Sequence, residues 1–455
     1  GTISFGGGTL LFTAANTTDY SARFSNAANQ AYNLTINSPQ TVTLATALTS
    51  VGGSLTKNGS STLELTAANT YTGGTTVNAG TLLLSGNDRL STTGNITVSN
   101  AGTNFNLGGF TQTTSGTVNL NRGTVLNGTL SSSGAFLAAV SGINISANLA
   151  GTAGLNVTAA GGNTIALSGA NNTYSGGTTL GGGALVTVSN ANSLGTGPVV
   201  FSGGTLGLAS GAVTLTNAMS ATAGQNYRFD ASGVLTIGVT LAGDSTNGLS
   251  KVGTSTLALT GNNTYGGVTT ISRGTVSVTS LQNGGVASGI GSSSSAASNL
   301  LIGSGLASNP MTLQYVGTTA ASTDRLFTAV QGATGSTIDN SAAGSANTLT
   351  FSNTGAIAFS GTGARTIILR GSNTGDNSFA PIIGDNAAEV TSFTKNDAGK
   401  WIVAGANTYT GVTNISAGTL SVASLADGGV ASNIGQSSSA ATNLLIGNAA
   451  TLLYT

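Results

Sequence analysis

The chain of 455 residues contains no cysteine and no histidine. The absence of cysteine excludes disulfide bonds, thiol catalysis and cysteine-based zinc sites. The absence of histidine removes the usual imidazole ligand of transition metals. We therefore expect no cofactor and no metal site, and the sequence assigns no catalytic, cofactor-binding or metal-binding residue.

Charge is also scarce, because 12 basic and 12 acidic residues make up only 5 % of the chain. A typical globular protein carries about 25 %. The neutral balance gives no electrostatic reason to bind nucleic acid. No run of about 20 apolar residues predicts a transmembrane segment. The chain begins at Gly1 without a basic start and an apolar run, so we expect any export signal to lie outside this sequence.

The abundant residues favour an all-β fold. Seventy glycines accompany many Thr, Ser, Asn and Ala residues, interleaved with Leu, Val and Ile. Thr, Val and Ile suit pleated strands, whereas Gly, Asn and Ser suit turns. No segment sustains the apolar stripe that an amphipathic helix needs.

One pattern recurs four times, near residues 57–85, 158–188, 251–278 and 395–422. Each copy has a tyrosine and, nine residues later, a glycine. Three copies have a lysine fourteen residues before the tyrosine, where the second copy has Ala160. The tyrosines are Tyr71, Tyr174, Tyr265 and Tyr409, the glycines are Gly80, Gly183, Gly274 and Gly418, and the lysines are Lys57, Lys251 and Lys395.

A longer duplication overlies this pattern. Residues 274–303 recur at 418–447 with 23 of 30 positions identical and an offset of 144 residues. Residues 312–316 then match 451–455, where the chain stops. We therefore expect the sequence to end inside a longer array.

Each copy reads as a strand, a turn, a second strand, a glycine bend and a third strand. Leu63 and Leu65 alternate with a polar residue, as they do in a half-buried strand. The turn contains Asn69, Gly73 and Gly74, which we expect to adopt unusual backbone dihedrals. Because such strands bury little alone, they must stack as coils about 4.8 Å apart.

These features predict a single continuous β-solenoid over residues 1–455. A coil of roughly 20–25 residues would give about 20 coils. A compact β-sandwich is the alternative fold.

The stretch Asn69-Thr-Tyr-Thr-Gly-Gly-Thr-Thr76, followed by Ala79-Gly-Thr-Leu82, resembles the autotransporter-associated β-strand repeat, also called the passenger-associated transport repeat. The resemblance covers about a quarter of the chain. It implies a right-handed parallel β-helix displayed outside a Gram-negative cell. No catalytic residue belongs to the repeat, so the resemblance implies none here.

Eight of the 24 charged residues fall within residues 365–400. Carboxylate pairs cleave polysaccharides in some enzymes, which makes Asp376, Asp385 and Glu389, with Arg370, the candidates for such chemistry. The alternative, which we favour, is a solvated loop between coils.

The repeated residues also allow a binding or a structural interpretation. The lysines suit either binding of anionic glycans or capping of a turn, and we expect capping. The tyrosines suit either stacking on sugars or packing in the turn, and we expect packing. Trp401 stands where Leu63 and Leu257 stand in other copies, so we expect it to fill the core.

The sequence therefore predicts an extracellular, non-enzymatic rod of a bacterial surface, structural or adhesive. We expect it to form or contribute to a fibre by end-to-end stacking of coils, with lateral association also open. The alternative is an adhesin passenger that binds surface glycans or cells, and a polysaccharide-cleaving enzyme is the third possibility.

Overall fold

The computed structural model describes residues 1–140, 142–303, 311–331 and 335–455. It consists of two compact units, Gly1–Ala209 and Ser210–Thr455. In these ranges the regular structure is β-strand with three short 3-10 turns, which confirms the predicted all-β class. No helix in the described ranges has the length and apolar character needed to cross a membrane.

The described part of unit 1 contains twenty short strands. They are β1 (Thr9–Phe12), β2 (Ala31–Ile36), β3 (Val42–Leu44), β4 (Ser54–Asn58), β5 (Thr62–Leu65), β6 (Thr75–Val77), β7 (Thr81–Leu84), β8 (Ile96–Val98), β9 (Asn104–Thr114), β10 (Val118–Leu120), β11 (Gly123–Ser132), β12 (Ala135–Ala138), β13 (Ile143–Ile145), β14 (Asn148–Ala150), β15 (Gly154–Val157), β16 (Thr164–Leu167), β17 (Thr178–Gly181), β18 (Leu185–Val188), β19 (Val199–Ser202) and β20 (Thr205–Leu208). A 3-10 turn spans Ser21–Arg23.

Unit 1 has two parallel sheets. The first has the order β1-β2-β4-β6-β8-β10-β12-β15-β17-β19, and the second has the order β3-β5-β7-β9-β11-β13-β16-β18-β20, with β14 also paired to β11. Successive strands of a sheet are parallel neighbours that come from successive coils, as in β4, β6 and β8. This is the arrangement of a β-solenoid.

The described part of unit 2 contains twenty-three strands. They are β21 (Ala212–Leu215), β22 (Met219–Ala221), β23 (Tyr227–Ala231), β24 (Val234–Ile237), β25 (Leu249–Lys251), β26 (Thr256–Leu259), β27 (Thr269–Ile271), β28 (Gly274–Val278), β29 (Leu300–Ile302), β30 (Met311–Tyr315), β31 (Ala321–Thr323), β32 (Thr328–Val330), β33 (Ser336–Asn340), β34 (Leu349–Phe351), β35 (Ala358–Ser360), β36 (Arg365–Arg370), β37 (Asn377–Phe379), β38 (Thr391–Lys395), β39 (Lys400–Val403), β40 (Thr413–Ile415), β41 (Gly418–Val422), β42 (Leu444–Ile446) and β43 (Ala450–Tyr454). Two 3-10 turns span Ala297–Asn299 and Ala441–Asn443.

Unit 2 has three parallel sheets. The first has the order β21-β24-β26-β28-β30-β33-β36-β38-β40-β42, the second includes β23-β25-β27-β29-β32-β35, and the third has the order β31-β34-β37-β39-β41-β43. Unit 2 is therefore also a parallel β-solenoid, and from β31 onward its coils contribute strands to a third sheet. The single continuous solenoid over 1–455 and the right-handed coil direction stay predictions.

The core of each unit is a stack of inward-facing aliphatic side chains. In β5, Leu63 and Leu65 have no exposed surface, while Glu64 lies between them on the outer face. Leu82 and Leu84 of β7 pair in register above Leu63 and Leu65. Full burial of each leucine contributes roughly 1.5–3 kcal/mol. Period-two alternation in the sequence is thus converted into aligned columns by the parallel register.

Coil length differs between the repeat copies and the segments between them. Leu55, Thr75 and Ile96 are successive partners, so these coils take 20 and 21 residues, as predicted. Val276 and its partner Leu313 are 37 residues apart. The extra length lies mostly in residues 279–299, which leave the coil as a loop.

The duplicated segments occupy different sides of unit 2. Lys251 ends β25 in the second sheet, whereas Lys395 ends β38 in the first. Leu257 lies in β26 of the first sheet, whereas Trp401 lies in β39 of the third. The 144-residue interval therefore contains five complete coils plus one further side, so each duplicated element is advanced by one sheet.

Candidate functional site

The repeat lysines are buried caps of a turn between two coils. The Lys57 ammonium donates to the carbonyl oxygens of Asn58, Gly59 and Ala79, each at 2.9 Å. Lys57, Lys251 and Lys395 have no exposed surface, and burial lowers the pKa of each to about 8. The predicted capping role is confirmed, and no ammonium remains accessible for an anionic glycan. The equivalent contacts run from Lys395 to the carbonyls of Asn396, Asp397 and Ala417, and from Lys251 to those of Gly253 and Arg273.

The repeat tyrosines are buried as well. Each hydroxyl is hydrogen-bonded to the hydroxyl of the threonine four residues later, as in Tyr71 and Thr75 at 2.5 Å. The other pairs are Tyr174 with Thr178, Tyr265 with Thr269, and Tyr409 with Thr413. All four rings have no exposed surface, and burial raises the pKa of all four hydroxyls. The packing role is confirmed, and these rings cannot stack on sugars.

An asparagine two residues before each tyrosine bridges three coils. The side-chain oxygen of Asn69 accepts the Leu48 N–H of the preceding coil at 2.7 Å. Its amide nitrogen donates to the Arg89 carbonyl of the following coil at 2.6 Å. Asn172, Asn263 and Asn407 make the equivalent pairs of bonds. The sequence analysis treated Asn69 as a turn residue only and missed this role.

The expectation of unusual dihedrals at Asn69, Gly73 and Gly74 is wrong, because none of them has a positive φ. At Gly73 the requirement is instead close approach, since a Cβ there would lie 2.4 Å from the Gly53 carbonyl oxygen. A positive φ occurs at the glycine nine residues after each tyrosine, with values from 64° to 84°. That glycine forms the predicted bend.

The charged residues of the 365–400 segment do not form a common catalytic group. Arg370 contacts Asp397 at 2.9 Å and the buried Asp339 at 3.2 Å, and burial raises the pKa of Asp339. Asp376 pairs with Lys400 at 2.6 Å. The other two candidate acids have separate roles, with the Asp385 carboxylate accepting from the Thr391 N–H and the Thr410 hydroxyl, and the Glu389 backbone pairing with Asn386.

Two further features agree with a structural role for this segment. Trp401 is fully buried and donates its indole N–H to the Arg370 carbonyl at 3.0 Å, which confirms the predicted core filling. Within the described ranges, no group of three or more acidic side chains is arranged to hold a metal ion.

A shallow polar cleft on unit 1 is the best-formed candidate for contact with a ligand. It lies where the long strands β9 and β11 bend, with positive φ at Gly108, Gly109, Asn127 and Gly128. The register between the two strands shifts between Leu126 and Gly128. Amide and hydroxyl groups line the cleft, from Asn106, Asn127, Thr129, Ser146 and Asn148.

An exposed aromatic ring lies at the edge of this cleft. Phe110 is 40 % exposed, and its ring carbon Cδ2 lies 3.3 Å from the position that a Cβ would occupy on Gly108, a cleft residue. The sequence analysis did not find this site, because its residues come from three coils. Amides, hydroxyls and an aromatic face can together contact a neutral polar ligand.

Four stretches of the chain match the family described as passenger-associated transport repeat: residues 55–84, 157–187, 249–278 and 393–422. Each stretch contains one of the buried asparagine–tyrosine pairs. The chain belongs to the passenger-associated transport repeat family. In this family member, the matched residues are those that tie one coil to the next.

One relative adds information about cellular context. Over 148 residues, the chain is 49 % identical to the adhesin BmaC autotransporter of Brucella suis biovar 1 (strain 1330). The match covers 32 % of this chain and 4 % of the relative, so the chain spans only a small part of that protein's length. No solved structure matches the chain. The repeat family and this relative place the passenger-associated repeat chain outside the cell, at the bacterial surface.

Proposed function

We propose that the chain is a non-enzymatic, adhesin-type passenger in which the solenoid is a scaffold for contact with other surfaces. The observation that carries this proposal is the burial of the repeat lysines, asparagines and tyrosines, which make their hydrogen bonds within and between coils. The repeat is therefore architecture, and binding falls to the exposed polar surface. The name of the relative, an adhesin, supports the same function.

We propose that the cleft at the bend of β9 and β11 is one adhesive contact and that its ligand is a neutral glycan. The Asn127 amide lies on an exposed residue beside Gly128, and Phe110 supplies an apolar face. Sugars present hydroxyl groups and an apolar ring face, which amides and an aromatic ring can contact together. No charged side chain lines the cleft, which favours a neutral sugar over an acidic one.

A glycan array tests this proposal directly. We expect binding to at least one neutral glycan and a loss of about tenfold or more in Phe110→Ala, since aromatic contacts are worth roughly 1.5 kcal/mol. Val51→Ala is the matched control, because Val51 is 68 % exposed but lies outside the cleft. An array without hits, or hits that survive in Phe110→Ala, would contradict the glycan site.

We also propose that coils stack onto the last strands of unit 2 and so join chains end to end. Leu445, Ile446 and Tyr454 in β42 and β43 are 45 %, 51 % and 63 % exposed. A parallel strand added there would cover them and pair with the outward backbone groups. Sedimentation and negative-stain microscopy at rising concentration should show end-to-end assembly, and Ile446→Lys should abolish it. Monodisperse monomers at high concentration would contradict this assembly.

A further inference from the structure

Unit 2 contains two loops of the same conformation, the first loop (residues 279–299) and the second loop (residues 423–443). The Gly285 N–H donates to the Ser293 carbonyl at 2.9 Å, and the Gly429 N–H donates to the Ser437 carbonyl at 2.9 Å. Each loop has a positive φ at two matched glycines and ends in a 3-10 turn. The duplicated sequence therefore produces the same backbone twice.

The first loop is closed by an arginine from the next coil. The Arg325 guanidinium donates to the Ser293 hydroxyl at 2.8 Å and to the Gly291 carbonyl at 3.0 Å. It also donates to the carbonyls of Gln282 and Val286, at 3.2 and 3.4 Å. Arg325 is only 2 % exposed, and the acceptors are fixed by the loop backbone.

The residues before this arginine complete the contact. The Asp324 carboxylate accepts the Gly284 N–H at 2.7 Å, and the Thr323 hydroxyl donates to the Gln282 carbonyl at 2.9 Å. Thr323, Asp324 and Arg325 thus read both donors and acceptors of the loop.

The second loop offers the same groups around an open pocket. The counterparts of the four arginine acceptors and of Gly284 lie 144 residues later and all line this pocket: Ala426, Gly428, Val430, Gly435 and Ser437. Three of the four acceptors are backbone carbonyls, so the change from Gln282 to Ala426 does not remove one. Leu425 is 46 % exposed here, whereas its counterpart Leu281 has no exposed surface.

We propose that the second loop is a binding site for a Thr-Asp-Arg segment carried by a further coil stacked on β43. The guanidinium of that segment contacts the carbonyls of Ala426, Val430 and Gly435 and the hydroxyl of Ser437, and its aspartate accepts the Gly428 N–H. Arginine fits and lysine does not, because a planar guanidinium directs five donors to spread acceptors. The site selects which coil follows the loop, and it rests on the coil stacking proposed above.

The test adds one coil segment to the chain. Because Val316 corresponds to Thr455, a copy of residues 317–331 is fused after Thr455, either unchanged or with the change equivalent to Arg325→Met or Arg325→Lys. Amide hydrogen exchange is followed separately in the second loop and in β42 and β43. We expect the unchanged copy to slow exchange in both places, by about tenfold or more in the loop, since hydrogen bonds to charged groups contribute at least a factor of ten.

The variants separate this site from stacking in general. With the methionine copy we expect β42 and β43 to stay protected while the loop returns to its original exchange rate. Arg325→Met in the original chain should expose the first loop in the same way. Equal loop protection with arginine and methionine overturns the site and leaves stacking intact. Absence of protection in β42 and β43 overturns the stacking and the site with it. Protection of the second loop that rises with concentration in the unextended chain also overturns the proposal, because a second copy is then the occupant.

Discussion

At the scale of single residues, buried lysines hold the turns of neighbouring coils together. The Lys395 ammonium donates to three carbonyl oxygens, one of which, that of Ala417, belongs to the next coil. Lys395→Met keeps the length of the side chain but leaves these oxygens without their donor. We expect the free energy of unfolding to fall by about 1–3 kcal/mol, which urea unfolding would show as a lower midpoint.

The matched control is Lys400→Met on the neighbouring strand. Lys400 pairs with Asp376, whose side chain is 70 % exposed, so loss of this pair should cost less than about 1 kcal/mol. Equal effects of the two substitutions would show that the buried contacts contribute no more than a surface pair.

The buried tyrosines predict a loss of stability in alkali. Burial raises the pKa of Tyr71, Tyr174, Tyr265 and Tyr409 above the ordinary value of 10.0. Above pH 10 the unfolded chain releases these protons and the folded chain keeps them, so the free energy of unfolding falls as pH rises. The buried lysines have the opposite effect between about pH 8 and 10.5, because their pKa is lowered in the folded chain. The fall is therefore measured above pH 10.5.

Phenolate absorbance and circular dichroism recorded together check this prediction. We expect the four buried hydroxyls to ionise only as the β signal is lost. Tyr265→Phe removes one of these groups and should reduce the slope of stability against pH. Ionisation of all the tyrosines before any loss of β signal would contradict the prediction.

The sequence predicted the lysine and tyrosine roles but not the asparagine bridges. A lysine or tyrosine at a fixed place in every turn has few structural alternatives once the fold is a solenoid. Asparagine is common in any turn, and the partners of Asn69 lie 20 and 21 residues away in the chain. Only the coil register brings these groups together, so a single sequence does not reveal them.

At the scale of the structural element, the glycine bend sets how closely two coils approach. Gly80 has a φ of 64°, and a Cβ there would lie 2.5 Å from the Ser61 carbonyl oxygen and 2.6 Å from that of Gly59. Gly102 has a similar φ of 76° but no atom within 4 Å of that position. Comparing Gly80→Ala with Gly102→Ala therefore separates backbone strain from steric overlap.

We expect Gly102→Ala to cost about 1–2 kcal/mol, the price of a left-handed conformation for a residue with a Cβ. Gly80→Ala should cost more, because the overlap involves backbone atoms that cannot rotate away. Urea unfolding of both variants gives the comparison. Equal costs would mean that the neighbouring turn moves freely and that the close approach has no energetic role.

The strands themselves were predictable, whereas their placement around the coil was not. Alternation at Leu63 and Leu65 identifies a strand from local sequence alone. It does not reveal that β25 and β38, which carry equivalent lysines, lie in different sheets of unit 2. That outcome depends on the total number of sides in the intervening 144 residues, including the first loop.

At the scale of the whole molecule, cohesion comes from ladders and buried side chains, with little contribution from charge. Only 24 of 455 residues are charged. In the part of the chain that the structure describes, the ion pairs are three: Arg370 with Asp339, Arg370 with Asp397, and Lys400 with Asp376. The sequence predicted this surface from composition, but the cleft beside Phe110 required the fold, because three coils contribute to it.

This distribution of charge predicts stability that hardly depends on salt. The Debye length is about 10 Å at 0.1 M and about 3 Å at 1 M salt, so added salt screens exposed pairs strongly. Such pairs contribute about 0–1 kcal/mol each, and the described part of the chain has few of them. We expect the thermal midpoint to change by no more than about 2 °C between low salt and 0.5 M NaCl, since 1 kcal/mol shifts a chain longer than 250 residues by only a few degrees. The control is Arg370→Gln, which removes two of the three pairs and should reduce the small salt effect further. A midpoint that falls steeply with salt would show that charge contributes more to cohesion than the buried contacts of Lys57, Asn69 and Tyr71 allow.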